Sequence, residues 1–147
     1  MSKQSDAEKW AKENEPVIAR ARANGGKGGQ GEIVILHTIG AKTGREHVVP
    51  LIPLKDGERY VVFASLGGSP HNPNWYHNLI AHPEIEIEAG GETIPVRAIE
   101  VTGAERNELY ERQVAAHSFY AGFQKKTKRV IPVIALEPLN YSAPGSA

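Results

Sequence analysis

Two tight-turn sequences between short apolar runs limit what this chain can fold into. Asp56-Gly57 and Gly90-Gly91 combine residues that adopt positive φ at little cost, and such pairs join antiparallel strands through two-residue hairpins. Around them the chain has six strand-like runs, at residues 33–39, 47–54, 59–65, 84–89, 92–101 and 131–137. Because hairpins make neighbouring strands antiparallel and helical patterns are few, the sequence favours a small closed or split antiparallel barrel with peripheral helices over a doubly wound parallel sheet.

Helix-start signals lie between these runs. Asn72 fits an N-cap with Pro73 at the first helical position, where its missing N–H costs nothing. Thr102 and Glu105 have the spacing of a capping box. The helices predicted from these signals and from the intervening pattern cover about residues 72–82, 102–116 and 118–125.

The N-terminal segment is predicted to be a helix over about residues 6–23 that is kinked or restarted at Pro16. Its apolar residues are sparse, so we interpret it as a peripheral element and not as core. Residues 26–31 match Gly-x-Gly-x-x-Gly, but the dinucleotide fingerprint follows a strand and opens a helix, and here that order is reversed. We interpret the match as a linker. The predicted division of the chain is residues 1–31 (helix and glycine-rich linker), 32–140 (barrel) and 141–147 (tail).

Composition excludes several classes of function. The 147 residues suit one domain, and the lack of cysteine excludes disulfides, thiolate metal sites and thiol nucleophiles. The six histidines lack metal-ligand spacing, so no metal is predicted. A formal net charge of zero argues against a nucleic-acid partner. No apolar run approaches the ~18 residues of a membrane span and no signal-peptide pattern begins the sequence, so we expect a soluble, cytoplasmic protein.

Two short segments follow strand-like runs and combine the residue types that hold phosphate and a flat ring. The basic turn, residues 40–45, reads Gly-Ala-Lys-Thr-Gly-Arg, and the side chains of Lys42 and Arg45 can bind phosphate oxygens. The glycine loop, residues 64–68, reads Ala-Ser-Leu-Gly-Gly and leads to Trp75 at a helix start. Glycines allow close backbone approach, and turn N–H groups form anion-binding concavities. Each segment alone also fits an ordinary turn or core packing, but together they suit a phosphate-bearing ligand with an aromatic ring system.

The order of these and other short motifs resembles one protein family. The motifs are Ile-Gly-Ala-Lys-Thr-Gly-Arg at 39–45, Val-Pro-Leu at 49–51, Asp-Gly at 56–57, Ala-Ser-Leu-Gly-Gly at 64–68, Asn-Pro-Asn-Trp-Tyr-His-Asn-Leu at 72–79, His-Pro at 82–83 and Ile-Pro-Val-Ile-Ala-Leu-Glu-Pro at 131–138. In this order they resemble the deazaflavin-dependent nitroreductase family, whose members use the reduced 8-hydroxy-5-deazaflavin coenzyme F420. The resemblance covers about residues 33–138.

The resemblance implies a fold and a set of site residues. The fold is a split β-barrel of the FMN-binding, pyridoxamine-oxidase-like kind, mainly β with peripheral helices, which agrees with the barrel predicted above. The basic turn grips the coenzyme phosphate, the glycine loop lies along the deazaflavin, and the catalytic residues are Tyr120, in the acceptor half of the pocket, and Ser65. The implied coenzyme-binding residues are Lys42, Thr43, Arg45, Val49, Pro50, Leu51, Ala64, Ser65, Gly67, Gly68, Trp75, Tyr76 and Asn78.

The chain departs from the family pattern at four positions. Leu66 stands where a lysine commonly follows Ala-Ser, and His47 stands where another basic residue is often found. One less cation predicts a weaker grip on the polyglutamate tail of the coenzyme. His117 and Phe123 replace two aromatic residues that flank the family tyrosine, which leaves the preference among acceptors open.

The function that the resemblance implies is reduction of a small-molecule electron acceptor, such as a quinone, a nitro compound or an activated enone, by reduced F420. Two alternatives stay open at this point: an FMN-dependent oxidase or reductase of the same fold, and a coenzyme-binding protein without catalysis. A homodimer is a further alternative. Residues 1–24 could dock on a membrane surface, on a partner subunit or on the barrel itself.

Overall fold

The computed structural model describes residues 6–28 and 31–139, and their side chains from residue 13 onward. The predicted tail at 141–147 lies outside the described residues. In chain order the elements are α1 (Asp6–Ala23), β1 (Lys27–Gly28), β2 (Gly31–Glu32), β3 (Val34–Ile39), β4 (Glu46–Leu51), β5 (Leu54–Asp56), β6 (Arg59–Phe63), a 3-10 turn (Leu66–Gly68), α2 (Asn74–Ala81), β7 (Glu84–Ala89), β8 (Glu92–Val101), α3 (Gly103–Ala116), α4 (Phe119–Lys126) and β9 (Val133–Pro138).

Seven strands form one antiparallel sheet in the order β4-β3-β7-β8-β9-β6-β5. Both predicted hairpins are present, with Asp56 paired to Arg59 and Ala89 paired to Glu92. Leu36 of β3 and Tyr60 of β6 lie near opposite ends of the strand order, yet both pack in one buried cluster. The sheet is therefore curled around that cluster, and the predicted split barrel is confirmed.

The run predicted as one strand over residues 47–54 is two strands at opposite edges of the sheet. β4 pairs with β3, whereas β5 pairs with β6. The chain crosses between the edges at Ile52 and Pro53, and proline has no N–H to continue a ladder. The single-strand prediction was wrong because the hydropathy of this run is continuous across the break.

Successive residues of β6 point to different cores, as the two-residue period of a strand requires. Tyr60, Val62 and Ala64 face the barrel cluster, against which Trp75 of α2 packs. Val61 and Phe63 face a second cluster that α3 and α4 cover, which also contains Tyr110 and Tyr120. The two cores therefore lie on opposite faces of β6.

The N-terminal helix is part of the packed structure, which corrects its interpretation as a peripheral element outside the core. Ala21 is fully buried against Ile33 and Ile35, with Ile18 packed beside them. Ile18 and Ala21, three residues apart, lie on one face of α1 and make this contact. A membrane surface, a partner subunit and the barrel were the three docking sites considered for this segment. The described residues of α1 contact the barrel sheet. After α1, β1 and β2 pair as a short ribbon where a linker was expected, and the domain boundary at residue 31 stays a prediction.

An ion pair fastens α1 to the sheet. The Arg22 guanidinium donates from Nε to Glu88 Oε1 (2.9 Å) and from Nη2 to Oε2 (2.7 Å), and His37 Nε2 lies 2.7 Å from the same Oε2. The hydrogen bond from Arg22, with a further one from His37, lowers the pKa of Glu88 from 4.5 to about 2. The charged carboxylate thus favours the folded state.

This ion pair predicts an acid dependence of stability. Because the pKa of Glu88 is lower in the folded chain, the stabilisation is complete above pH 4.5 and is lost as the pH falls toward 2. We expect Glu88→Gln to lower the free energy of unfolding at pH 7, and the difference from the wild type to shrink between pH 5 and pH 3, measured by urea denaturation. Glu86→Gln, an exposed neighbour on the same strand, is the control. If the difference in the free energy of unfolding between Glu88→Gln and the wild type stayed constant from pH 5 to pH 3, the lowered pKa of Glu88 would be contradicted.

Candidate functional site

The basic turn connects β3 to β4 and is closed by its own backbone. The Gly40 N–H donates to the Arg45 carbonyl at 2.7 Å, and the Gly44 N–H donates to the Gly40 carbonyl at 2.9 Å. The Arg45 N–H donates to Thr43 Oγ1 at 3.2 Å, so the threonine hydroxyl supports the turn. Lys42 and Arg45 are exposed, and within the described part of the chain their side chains form no ion pair. Their charge is therefore available to a ligand.

Asn78 ties the basic turn to α2. Its Oδ1 accepts from the Ala41 N–H at 3.0 Å, and its Nδ2 donates to Thr38 Oγ1 at 3.4 Å. The Thr38 hydroxyl in turn donates to the His47 carbonyl at 2.8 Å. Asn78 and Thr38 are both buried, at 8% and 0% exposure. Asn78, predicted to bind coenzyme, is here the residue that fixes the turn relative to α2.

The glycine loop follows β6 and begins with two buried residues, Ala64 and Ser65. The Gly68 N–H donates to the Ser65 carbonyl at 2.9 Å, which forms the single 3-10 turn. Gly68 has φ +85°, and a Cβ there would lie 2.7 Å from the Phe123 carbonyl oxygen, so only glycine lets α4 come this close. A Cβ on Gly67 would meet no atom within 4 Å, so the loop is open on that side.

Arg129 is a residue of this region that the sequence reasoning missed. Its guanidinium donates to the carbonyls of Ala64 (3.1 Å), Ser65 (2.8 Å) and Ser69 (2.8 Å), and to Asn72 Oδ1 (2.8 Å). Burial lowers the pKa of this guanidinium below its usual range. In the sequence Arg129 ends a run of basic residues typical of a solvated surface, so no local signal distinguishes it.

The predicted ring-binding residues come together at the barrel core. Val49 and Leu51 of β4, with Trp75 and Tyr76 of α2, pack as half-buried side chains against the cluster that contains Ala64. Pro50 is half-buried between the two β4 residues. The Tyr76 hydroxyl donates to Glu100 Oε1 at 2.7 Å, and burial together with this contact raises the pKa of Tyr76 to about 12. The Tyr76 hydroxyl is thus already engaged.

Tyr120, predicted to be catalytic, lies on the other side of β6. It is 6% exposed, and its ring centroid lies 5.0 Å from that of Phe119, 5.1 Å from Phe123 and 5.8 Å from Phe63. Burial raises the pKa of Tyr120, and the neighbouring Gln113 side chain partly offsets this rise. The structure thus brings the basic turn, the glycine loop and α2 around one core and leaves Tyr120 in another. Its position is that of a packing residue in this conformation.

An acidic groove on the outer face of the sheet does not suit a phosphate. It has a volume of about 620 Å³, and its charged or titratable lining residues are His37, Glu46, Glu84, Glu86 and Glu88. Carboxylates repel an anionic ligand, which leaves the basic turn as the better phosphate site. Among the described residues, no cluster of acidic or histidine side chains could hold a metal ion.

Comparison with known proteins shows the family to which the chain belongs. A sequence model of a family described as F420H2-dependent quinone reductase matches residues 10–138. An F420H2-dependent quinone reductase of Mycobacterium tuberculosis is 37% identical over 106 residues, which cover 70% of this chain and 71% of that protein.

Solved structures show the same likeness. An F420-H2 dependent reductase (FDR-A) is 39% identical, with a TM-score of 0.66 over 71% of this chain and 93% of its own. A structure described as a domain-swapped dimer is 34% identical, with a TM-score of 0.67 over 88% of this chain and 98% of its own. A Listeria innocua structure assigned as a pyridoxamine 5′-phosphate oxidase is only 14% identical, with a TM-score of 0.55 over 85% of this chain and 93% of its own, and supports the fold alone.

Proposed function

Because the chain belongs to the family of F420H2-dependent quinone reductases, we propose that it is an oxidoreductase that uses reduced coenzyme F420 to transfer a hydride to a quinone. The observation that carries the proposal is the basic turn. Lys42 and Arg45 stand exposed beside backbone N–H groups, and buried Asn78 fixes this turn to the helix that carries Trp75.

These residues fit a phosphate-bearing coenzyme. Two cations without a protein counter-ion, within the described ranges, can form charge-assisted hydrogen bonds to phosphate oxygens, and arginine can do so with two parallel bonds. A Cβ on Gly44 would meet no atom within 4 Å, so this side of the turn is open to a ligand. We propose that Lys42, Thr43 and Arg45 hold the phosphate.

The ring of the coenzyme has a suitable seat next to the turn. Val49, Leu51 and Trp75 present half-buried apolar surface beside buried Ala64. We propose that these residues, with Pro50, Tyr76, Gly67 and Gly68, orient the tricyclic ring and exclude water from one face. A bound reduced deazaflavin supplies a hydride, which is chemistry that the cofactor carries and the protein positions.

The chain must also deal with the charge that develops on the acceptor. Reduction of a quinone by hydride gives a hydroquinone monoanion, which takes one proton to become the hydroquinone. The Ser65 side chain makes no capping hydrogen bond at the 3-10 turn, and we propose that its hydroxyl donates to the acceptor oxygen. The role of Tyr120 in proton donation stays a prediction, since its ring packs in the second core.

FMN is the alternative coenzyme, because it also has a phosphate and a flat ring system. The proposal is tested by titrating the purified protein with oxidised F420 and with FMN and following ligand fluorescence. We expect saturable F420 binding that weakens as salt is added, because exposed cations are screened, and weaker binding of FMN. Tighter binding of FMN would contradict the proposal. F420 binding without turnover of any acceptor would support the non-catalytic alternative.

Assembly and location are further parts of the proposal. The similarity to a domain-swapped dimer supports a homodimer, which light scattering in solution would test. Over the residues that the structure describes, no helix is long and apolar enough to cross a bilayer. Peripheral membrane contact and a cytoplasmic location remain predictions from the sequence.

A further inference from the structure

We propose that Arg129 is a positioning residue, whose guanidinium holds the glycine loop in the shape that turns the N–H groups of Leu66 and Gly67 toward an oxygen atom of the coenzyme or the acceptor. The inference rests on the proposed function and deepens it. In this proposal the glycine loop recognises a ligand oxygen through its backbone N–H groups, and Arg129, which is distant in the sequence, keeps those groups in place.

The first observation is the number of bonds from Arg129 to one loop. It donates hydrogen bonds from Nε, Nη1 and Nη2 to three backbone carbonyls and one side-chain amide, all between residues 64 and 72. The planar guanidinium offers five donors in a fixed fork, whereas a lysine ammonium offers three donors on a flexible stem. Arg129 can therefore fix several peptide planes at once, and lysine cannot replace that function.

The second observation is an unusual backbone conformation. Leu66 has φ +44°, and in the described part of the chain it is the one residue other than glycine with positive φ. Such a conformation is unfavourable for leucine and persists only where the surroundings impose it. Arg129 donates to the carbonyls of Ala64 and Ser65, which precede Leu66, and to that of Ser69, which follows it. Its hydrogen bonds therefore hold the backbone on both sides of the strained residue.

The third observation is the direction of the N–H groups. Ser65 is right-handed (φ −75°, ψ −39°), and Leu66 and Gly67 follow with positive φ. This succession brings neighbouring N–H groups to one side in an anion-binding concavity. Within the described residues, the Leu66 and Gly67 N–H groups donate to no protein atom, whereas the Ser65 N–H donates to the Phe63 carbonyl.

Arg129 sets that direction through the peptide bond. In a trans peptide the carbonyl and the following N–H point in opposite directions. Because the Ser65 carbonyl points to Arg129 Nη2 at 2.8 Å, the Leu66 N–H must point away from Arg129. The Leu66 carbonyl accepts from the Ser69 N–H at 3.1 Å, and Arg129 also holds the Ser69 carbonyl, so the next N–H, that of Gly67, is fixed within the same loop. Donors held in place before the ligand binds stabilise negative charge on an oxygen without reorganisation.

The test compares Arg129→Lys, Leu66→Gly and the double variant with the wild type. Arg59→Lys is the matched control, because Arg59 is half-buried like Arg129 and donates from Nε to Asp56 and from Nη2 to Glu105, outside the loop. Amide ¹H–¹⁵N spectra of the free protein report the loop, F420 fluorescence titration reports binding, and the melting temperature reports folding.

We expect Arg129→Lys to shift or broaden the Leu66 and Gly67 amide signals and to weaken F420 binding about tenfold or more. Leu66→Gly in that background should restore part of the affinity, because glycine adopts positive φ without the clamp. Arg59→Lys should lower the melting temperature and leave F420 affinity unchanged. Coupling between residues 129 and 66 is a signature that general destabilisation lacks.

Two results would overturn the inference: unchanged Leu66 and Gly67 amide signals in folded Arg129→Lys, or a loss of affinity that Leu66→Gly does not reduce. Failure of the proposed function has a different signature, since the wild-type protein would then not bind F420. In that case the amide spectra of the free protein still decide whether Arg129 holds the loop.

Discussion

Replacing Lys42 and Arg45 with alanine together is expected to remove most of the affinity for F420. Each replacement removes one charge-assisted hydrogen bond to phosphate. We therefore expect each single variant to weaken F420 binding by about 1–3 kcal/mol, and the double variant to weaken it more. Both side chains are exposed and without an ion pair within the described residues, so their removal leaves no buried charge unpaired. Folding should therefore be preserved. Fluorescence titration at low and high salt measures the effect, which should shrink as salt rises.

The matched control removes the same charge elsewhere. Arg97→Ala combined with Arg112→Ala takes two cations from β8 and α3, which lie outside the basic turn. If this control weakened F420 binding as much as the double variant of the turn, the effect would be one of net charge. Unchanged affinity in both Lys42→Ala and Arg45→Ala would move the phosphate site away from the turn.

Truncating Tyr120 is expected to have the largest effect on stability. Tyr120→Ala removes a buried ring from a cluster with Phe63, Phe119 and Phe123, and large-to-small changes of this kind cost about 3–5 kcal/mol. Tyr120→Phe keeps the ring and deletes only the hydroxyl beside Gln113, so its cost should be much smaller. Urea denaturation of the two variants and the wild type measures both values.

The same two variants separate packing from catalysis. With a quinone as acceptor we expect Tyr120→Phe to retain most of its turnover, because the reduced quinone can take its proton from water. A catalytic hydroxyl would instead make kcat and kcat/KM fall together while F420 affinity holds. That outcome would show that Tyr120 reaches the acceptor in a conformation other than the packed one.

The fold was predictable because its signals are local. Asp56-Gly57 and Gly90-Gly91 allow tight hairpins. The alternation of glutamate and apolar residues over 84–89 indicates a strand with one solvent-exposed face. The helix start after Thr102 likewise depends on residues near in sequence, whereas α2 begins at Asn74 with Pro73 as its N-cap, one residue later than the cap predicted at Asn72. Such features need no knowledge of what packs against them.

The remaining features depend on contacts between distant residues. The split of residues 47–54 into two edge strands is decided by their partners β3 and β6. The docking of α1 needs Glu88, 66 residues after Arg22, and the clamp on the glycine loop needs Arg129, 64 residues after Ser65. The sequence placed the basic turn, the glycine loop and α2 in one site, but the separation of Tyr120 from them follows from the opposite faces of β6.

The central claim is that this chain oxidises F420H2 with a quinone, and anaerobic turnover tests it most directly. F420H2 is mixed with a soluble quinone and catalytic amounts of protein, and the return of the violet absorbance of oxidised F420 is followed, with reduced FMN as the parallel donor. We expect protein-dependent oxidation of F420H2 that saturates in quinone and is lost in the double variant of Lys42 and Arg45. Oxidation of reduced FMN but not of F420H2, or a rate equal to that without protein, would contradict it.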